Sequence, residues 1–456
     1  MKRPGLRKPR TQGTLPRNIY RRQPLVRRPG VVQPEHLTTE PVCGIKALCG
    51  ACKYVNQDYK DGLNGKFQVG LKVLEESGLQ HLARILQPVP SPRQLGYRSL
   101  FKLAVRPATT SLKQASSAYD RIASTPSDEL LPVLPERFAV GLFAAGSHDV
   151  VDMDRCPLHT PPLEALLRDL RVELNMSTLT PYDEATKTGQ LRYITARSAH
   201  LTGELMVTFV VTEALKVELR QLVANLQRRG HRINSAHMNL NTDSGNAIFG
   251  AESVRLSGAE RLRERLCDLD FEIGPTAFFQ INPWQAINLY RRIESIAGRP
   301  STPGQVAWDL YSGTGQISLM LARQGYRVLG IEENPGAVAD AQLNAKRNHL
   351  EASAAFIAAR VEDAAQLVPT WATSPNLIIA NPSRRGMADS TRRHIALLLA
   401  NNPGARFVYV SCEIASMARD IKILSELSGF QLRQVEPFDM FPQTDNMEWL
   451  AVLSRP

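Results

Sequence analysis

The chain has 456 residues, 43% of them hydrophobic and 22% charged, which suits two or three globular units at about 150 residues each. Its longest nearly uncharged apolar stretch, Leu205–Val211, is far shorter than the about 20 residues a membrane span needs, and no apolar segment follows the basic start as it would in a signal peptide. Six cysteines are too few for a disulfide-built secreted scaffold. Secreted, fibrous and membrane classes are therefore disfavoured, and a cytoplasmic protein is expected.

Ten of the net +11 charges sit in the first 28 residues, which contain no acid. Pro4, Pro9, Pro16, Pro24, Pro29 and Pro34 rule out a continuous helix there. Residues 1–40 are expected to be a disordered basic arm, since so charged and aliphatic-poor a segment cannot offset its ordering entropy. Such an arm can neutralise phosphates and release counterions, or it can be a solvated tail with no specific partner. It has no serine, unlike an organellar transit peptide.

A cysteine-containing stretch follows from Pro41, then segments rich in Pro, Ser and Thr near Pro88–Pro92 and Thr109–Pro126. From Phe138 to about Gly258 the pattern predicts short strands, including Phe138–Phe143, Gly203–Val211 and Asn246–Gly250, around a helix over Glu213–Arg228. From Val306 strand and helix alternate. Strands are predicted at Val306–Leu310, Arg327–Ile331, Ala355–Ala358, Asn376–Ala380, Arg406–Val410 and Trp449–Leu453. Helices are predicted at Ile317–Gln324, Pro335–Asn348, Ser390–Ala400 and Ile414–Ser428. The fold class expected is α/β, with a mainly parallel sheet flanked by helices in the C-terminal part and a β-rich α+β unit before it.

Ligands of such sheets sit beyond the carboxyl ends of the strands. There this chain carries Asp309-Leu-Tyr-Ser-Gly-Thr-Gly315, whose glycines allow close backbone approach by a nucleotide-like ligand. Glu332 follows 23 residues after Asp309, a spacing suited to accepting hydrogen bonds from ribose hydroxyls. Asn381-Pro-Ser-Arg-Arg-Gly386 follows another strand, and no Gly-Lys-Ser/Thr of a triphosphate loop is present. Cys412 lies just past a strand end and at a helix start, where the helix terminus and Arg384 or Arg385 can lower a thiol's pKa. It can equally be a buried structural cysteine. Glu448, before the last strand, is a solvated acid or a base.

Taken together these motifs resemble the RNA (uracil-5-)-methyltransferase family, which uses S-adenosylmethionine. The stretches that carry the resemblance are Phe278-Phe-Gln-Ile-Asn-Pro283, Asp309–Gly315, Gly330-Ile-Glu332, Asn381–Gly386, Val410-Ser-Cys412, and Phe441-Pro-Gln-Thr444 with Glu448. Upstream, Gly96-Tyr-Arg98, Ser147-His148 and Leu191-Arg-Tyr193 are also similar to the family's central domain. The resemblance implies that Cys412 attacks carbon 6 of uracil, raising electron density at carbon 5, and that Glu448 removes the carbon-5 proton after methyl transfer. It places Gln280, Tyr311, Glu332 and Asn381 on the methyl donor, and Phe278 and Arg384 on a base that must be unstacked to reach the thiolate. Two positions depart from the family pattern: Ser383 stands where a second proline is common, and Asn446 where a histidine is frequent.

Cys43, Cys49 and Cys52 have C-x5-C-x2-C spacing, with Cys156 far downstream. Four thiolates can hold zinc or an iron–sulfur cluster. The ribosomal-RNA branch of the family carries a 4Fe–4S cluster on this arrangement, so the resemblance implies a cluster that staples the Cys43–Cys52 loop to the central unit; Cys267 is expected to be core. That branch points to 23S ribosomal RNA as partner, with no membrane or protein partner inferred. Residues 1–40 are too short and proline-rich for the β-barrel (TRAM) domain of the longer ribosomal enzymes. A transfer-RNA methyltransferase and a non-catalytic iron–sulfur RNA-binding or ribosome-assembly protein are the alternatives. The expected domains are a basic tail (1–40), a cluster-bearing RNA-binding unit (41–265) and a methyltransferase unit (266–456).

Overall fold

The computed structural model describes residues 42–79, 83–110, 136–243 and 245–456; the basic arm of residues 1–40 and most of the Thr109–Pro126 stretch lie outside them. One helical turn, α1 (Lys46–Cys49), precedes α2 (Tyr59–Glu76), which starts at Asp58 because that carboxylate accepts the N–H groups of Lys60 and Asp61. The two-residue strand β1 (Arg84–Ile85) follows.

The central unit then runs β2 (Leu100–Pro107), β3 (Phe138–Phe143), β4 (Val150–Asp152), α3 (Pro161–Met176), β5 (Leu191–Ser198), β6 (Leu205–Val211), α4 (Lys216–Arg228), β7 (Ile233–Leu240) and β8 (Glu252–Gly258). Its sheet has the order β4-β3-β2-β5-β6-β7-β8. Neighbours are antiparallel except β6 and β7, which α4 joins as a crossover. Alternate residues, such as Phe101, Leu103 and Val105 of β2 and Ile194 and Ala196 of β5, enter one core with Leu166, Leu170, Leu219 and Leu226 of α3 and α4. The expected strand at Asn246–Gly250 is a loop instead. Its carbonyls at Ala247 and Ile248 are taken by the Asn241 amide, and Gly250 N–H donates to Asn239 Oδ1, so side chains replace a strand ladder.

β9 (Leu262–Leu266) and β10 (Leu269–Ile273) form a hairpin whose two turn residues, Cys267 and Asp268, have φ of 50° and 61°, as a two-residue primed turn requires. Next come α5 (Pro283–Ala297), β11 (Val306–Leu310), α6 (Gln316–Gln324), β12 (Arg327–Glu332), α7 (Pro335–Arg347) and β13 (Ala354–Ala358). The chain ends with β14 (Leu377–Ala380), α8 (Asp389–Asn401), β15 (Arg406–Ser411), α9 (Ile414–Ser428), β16 (Gln431–Phe438) and β17 (Glu448–Ser454).

The second sheet has the order β1-β16-β17-β15-β14-β11-β12-β13. Its strands from β13 to β15 are parallel, while β17 runs antiparallel between β15 and β16. The chain steps from β11 to β12 on one side and later to β14 on the other, so the topological switch point, where such sheets bind ligands, is at the carboxyl ends of β11 and β14. Both faces are covered, which is why β11, β14 and β15 are continuous apolar runs.

Although far upstream in sequence, α2 and β1 pack on this second sheet: Phe67 and Leu74 share its core, and β1 pairs with β16. Phe67 stacks on Trp449 of β17 with ring centroids 6.4 Å apart. A Cβ on Gly70 would lie 2.0 Å from Trp449 Cζ2, so only glycine lets helix and indole approach this closely. Among the described residues no helix is long and apolar enough to cross a membrane.

Candidate active site

At the switch point, β11 delivers Asp309 and the turn that follows it. Asp309 is buried, with Oδ2 accepting the Ser318 N–H (2.9 Å) and hydroxyl (2.6 Å). Burial raises its pKa to about 7, against the Ser318 hydrogen bonds. Tyr311 follows with φ 62°, a left-handed conformation rare for a non-glycine residue and a mark of local strain. Burial pushes its phenol up to about 12. Glu332, at the end of β12, accepts the Gly313 N–H (3.0 Å) and the Asn334 N–H (2.9 Å), so its carboxylate braces the glycine turn. Asn381, at the end of β14, donates its N–H to Leu310 O (3.3 Å), which sets it beside β11. Asp309 Oδ1, Ser312 Oγ and Thr314 Oγ1 are buried around this turn without hydrogen-bond partners. Buried polar atoms are nearly always satisfied, so three orphans on one turn mark a place for a polar ligand.

One strand over, register sets the second group of residues. Ser411, the last residue of β15, pairs with Trp449, and Phe438 pairs with Glu448. The antiparallel ladder thus brings Glu448 level with Cys412, just beyond the end of β15. Cys412 lies before α9, half-buried, within electrostatic reach of both Glu448 and Arg384. Burial first, and then the Glu448 charge, raise its thiol pKa; the Arg384 charge and hydrogen bond oppose them. The expectation of a lowered thiol pKa is thus outweighed here, because the thiol is desolvated beside a carboxylate. Glu448 is 3% exposed, and burial alone raises its pKa to about 7. Arg384 donates to Asn446 Oδ1 (3.1 Å). Asn446, a departure from the family pattern, is therefore the residue that holds the arginine. Ser383, the other departure, accepts the Gly386 N–H (2.9 Å) and closes the turn that carries Arg384.

The segment between β16 and β17 is held by residues that no local sequence signal marks. Lys66 of α2 is buried, 2.5 Å from Asp439 Oδ1, and also donates to Phe441 O and Asn446 O, each at 3.1 Å. Tyr59 donates to the other Asp439 oxygen (2.8 Å). Tyr97 donates to Pro442 O (2.9 Å) and Tyr54 N–H to Gln443 O (2.8 Å). Gln443 itself has φ 71°. Lys66 could have been suspected only as a lysine inside the apolar stripe of a helix.

The loop from Gly274 to Asn282 carries Phe278, 66% exposed, and Gln280, buried. Its carbonyls are gripped from the central sheet: Arg197 donates to Phe279 O (3.3 Å) and Ala277 O (3.5 Å), and Ser99 N–H to Ile281 O (2.8 Å). Sequence reasoning missed Arg197, which looks like any strand arginine.

Cys43, Cys49, Cys52 and Cys156 line one cavity of ≈ 50 Å³, and none is in a disulfide. Burial, and after it the other three cysteines, push the Cys52 thiol up to about 12. Cys43 and Cys49 are also raised, chiefly by burial. Burial works the same way on Cys156, but the hydrogen bond and charge of His159 prevail and lower it. Glu164 accepts both the Cys156 N–H (3.0 Å) and a His159 ring nitrogen (2.8 Å). Thr444, from the segment before β17, lines the same cavity. Among the described residues, no group of three or more His, Cys, Asp or Glu is arranged to hold a metal ion. Cys267 is buried in the C-terminal core, its thiol pushed up to about 11 by burial.

Residues 185–456 match the family described as tRNA (Uracil-5-)-methyltransferase. An uncharacterized RNA methyltransferase of Parasynechococcus marenigrum is 36% identical over 321 residues, covering 70% of this chain and 67% of its own. One of Geobacter sulfurreducens is 32% identical over 420 residues, covering 91% and 77%. Among solved structures, the Pyrococcus abyssi tRNA (uracil-54, C5)-methyltransferase in complex with S-adenosyl-L-homocysteine is similar with a TM-score of 0.65 and 25% identity, covering 87% of this chain and 84% of that one.

Proposed function

The chain belongs to the RNA (uracil-5-)-methyltransferase family, and from that we propose that it methylates carbon 5 of a uridine in 23S ribosomal RNA with S-adenosylmethionine as donor. The observation that carries the proposal is the meeting of Cys412, Glu448 and Arg384 where β15 and β17 run side by side.

The residues present fit the donor. Tyr311, Glu332 and Asn381 surround a turn with three orphaned buried polar atoms, and Gln280 is the fourth residue assigned to the donor. When bound, the donor supplies an electrophilic methyl group. The chain's own residues do the rest. Uracil carbon 5 is too weak a nucleophile to take a methyl group unaided. The Cys412 thiolate adds to carbon 6, and the electron pair displaced from the 5,6 double bond makes carbon 5 an enolate carbon that takes the methyl group. Arg384, beside the sulfur, stabilises the thiolate before attack. Glu448, raised to about 7, is a base matched to neutral pH. It removes the carbon-5 proton, the double bond re-forms and the sulfur leaves as thiolate. Phe278, which is exposed, offers a stacking surface for the unstacked base.

We assign the four-cysteine cavity to a 4Fe–4S cluster, with zinc as the alternative, because its C-x5-C-x2-C spacing with a distant fourth cysteine is that of the family's ribosomal-RNA branch. In a cubane each iron takes one thiolate, which suits four cysteines spread around a cavity. Cys43, Cys49, Cys52 and Cys156 would hold it. The ribosomal assignment rests on this cysteine pattern. A transfer-RNA substrate is the second reading, favoured by the similarity to the archaeal tRNA enzyme.

The test is tritium release from ribosomal and transfer RNA labelled at uracil carbon 5, with purified protein and S-adenosylmethionine. Release from ribosomal RNA that depends on the donor and vanishes in Cys412→Ala is expected. Release from transfer RNA alone would move the substrate, and silence on both with RNA binding retained would leave a non-catalytic RNA-binding protein.

A further inference from the structure

Lys66 stands in the apolar stripe of α2, 4% exposed, and each of its three ammonium N–H groups has an acceptor. One bonds the Asp439 carboxylate, one Phe441 O and one Asn446 O. Asp439 cancels its charge, and a buried ion pair of this kind adds little stability over apolar residues of the same size. What the lysine adds is direction, because two of its three bonds fix backbone carbonyls of the segment between β16 and β17.

Of those two carbonyls, that of Asn446 leads to the reacting sulfur. Lys66 holds the peptide group after Asn446, and the Thr444 hydroxyl accepts the Asn446 N–H (3.2 Å), so the peptide groups on both sides of its Cα are fixed. The side chain is fixed next: its amide nitrogen donates to Asp445 Oδ1 (3.1 Å), and its Oδ1 accepts from Arg384 (3.1 Å). Arg384 is exposed, forms no ion pair among the described residues, and hydrogen-bonds the Cys412 sulfur. A long exposed arginine has much rotamer freedom to lose. The neutral Asn446 oxygen restrains it without cancelling its charge, as a carboxylate would. The charges facing Cys412 are Glu448 from β17 and Arg384 from the turn after β14. Glu448 is set by the β16–β17 ladder, where it pairs with Phe438. The route from Lys66 to the sulfur therefore runs through Asn446 and Arg384.

We propose that Lys66 is a positioning residue for the nucleophile: by fixing the Asn446 carbonyl it aims the Asn446 side chain at Arg384 and so keeps that guanidinium on the Cys412 sulfur. The inference rests on the RNA-methyltransferase reading and adds to it a helix far upstream that tunes the attacking group.

The test follows alkylation of Cys412 by iodoacetamide from pH 6 to 10 in the full chain, read on the Cys412 peptide by mass spectrometry. Lys66→Met/Asp439→Leu removes both charges, keeps the volume apolar and frees the Asn446 carbonyl. Drawing a cation away from a thiol raises its pKa, which leaves about tenfold less thiolate below the midpoint. Alkylation about tenfold slower there, with wild-type S-adenosylhomocysteine affinity, is the expected result. Asn446→Leu, at a half-buried position, should slow alkylation equally, and combining it with the Lys66 pair should add nothing. Lys66→Leu/Asp439→Asn, which keeps an acceptor for Tyr59, takes the place of the apolar pair if that does not fold. A wild-type alkylation profile in the folded pair overturns the proposal. So does a further tenfold loss in the combination, which would separate Lys66 from Asn446, and so does a parallel loss of S-adenosylhomocysteine affinity, which would mark a general loosening of the site. The expected alkylation results in a protein whose wild type makes no 5-methyluridine would keep the positioning role and remove the methyltransferase reading.

Discussion

Replacing Glu448 by glutamine should make the protein more stable above about pH 4.5, by an amount that grows until about pH 7. Burial alone raises this carboxyl from 4.5 to about 7. At about 1.4 kcal/mol per tenfold change in acidity, ionising it inside the folded chain costs about 3 kcal/mol. Below pH 4.5 the group is neutral folded and unfolded, and there is no penalty. Between 4.5 and about 7 the unfolded chain loses the proton while the folded chain keeps it, so stability falls as pH rises; above about 7 the loss is complete. Glutamine has nearly the same shape and does not titrate. Urea unfolding followed by circular dichroism at pH 5, 6, 7 and 8 should therefore show the variant gaining about 3 kcal/mol on wild type between pH 5 and pH 8. A difference between the two proteins that is the same at every pH would refute the argument that burial sets this carboxyl's pKa. The same variant should add covalently to RNA and stall, with carbon-5 proton loss slowed by about 10²–10⁴-fold. The adduct is read as a band shift on a denaturing gel.

The remaining predictions concern the supports of the site. Gly70→Ala in an exposed helix would stabilise by about 0.5–1 kcal/mol, but here its Cβ meets the Trp449 indole. A loss of about 1–3 kcal/mol is expected instead, recovered in part by Trp449→Leu; a rise in Tm for Gly70→Ala alone would contradict the packing. Lys66→Met leaves Asp439 buried without its cation and should cost about 3–5 kcal/mol, with Lys66→Met/Asp439→Leu more stable than the single variant in urea. Methylation should speed up with pH through about 7, because Glu448 must be ionised there and Cys412, whose thiol is raised, gains thiolate; initial rates flat from pH 6 to 8 would contradict both assignments.

The parallel part of the C-terminal sheet was legible in the sequence because strands buried on both faces must be continuous apolar runs. β11 to β15 and β17 fall within one residue of their expected limits. β16 was not, since its sequence, Gln431–Phe438, mixes charged, polar and apolar residues. The loop at Asn246–Gly250 was misread as a strand for a related reason: its short apolar run is packed by Ile248 and Phe249 against the sheet, while asparagine side chains supply its hydrogen bonds. The chemistry-bearing residues were visible as types at strand ends, and the helix-start position of Cys412 was readable too. Their pKa values were not, because desolvation depends on what is packed around a group, and at Cys412 it outweighs the nearby arginine.

What the sequence by itself determined is therefore local: the alternating α/β pattern, the glycine turn after Asp309, the four cysteines and the residues at the ends of strands. What only tertiary structure decided is which of these meet. The antiparallel insertion of β17 sets Glu448 level with Cys412, and Lys66 reaches Asp439 across 373 positions of chain. Periodicity is a property of neighbours along the chain and can be read from it. Register and burial are properties of neighbours in space, and they exist only once the sheets have closed.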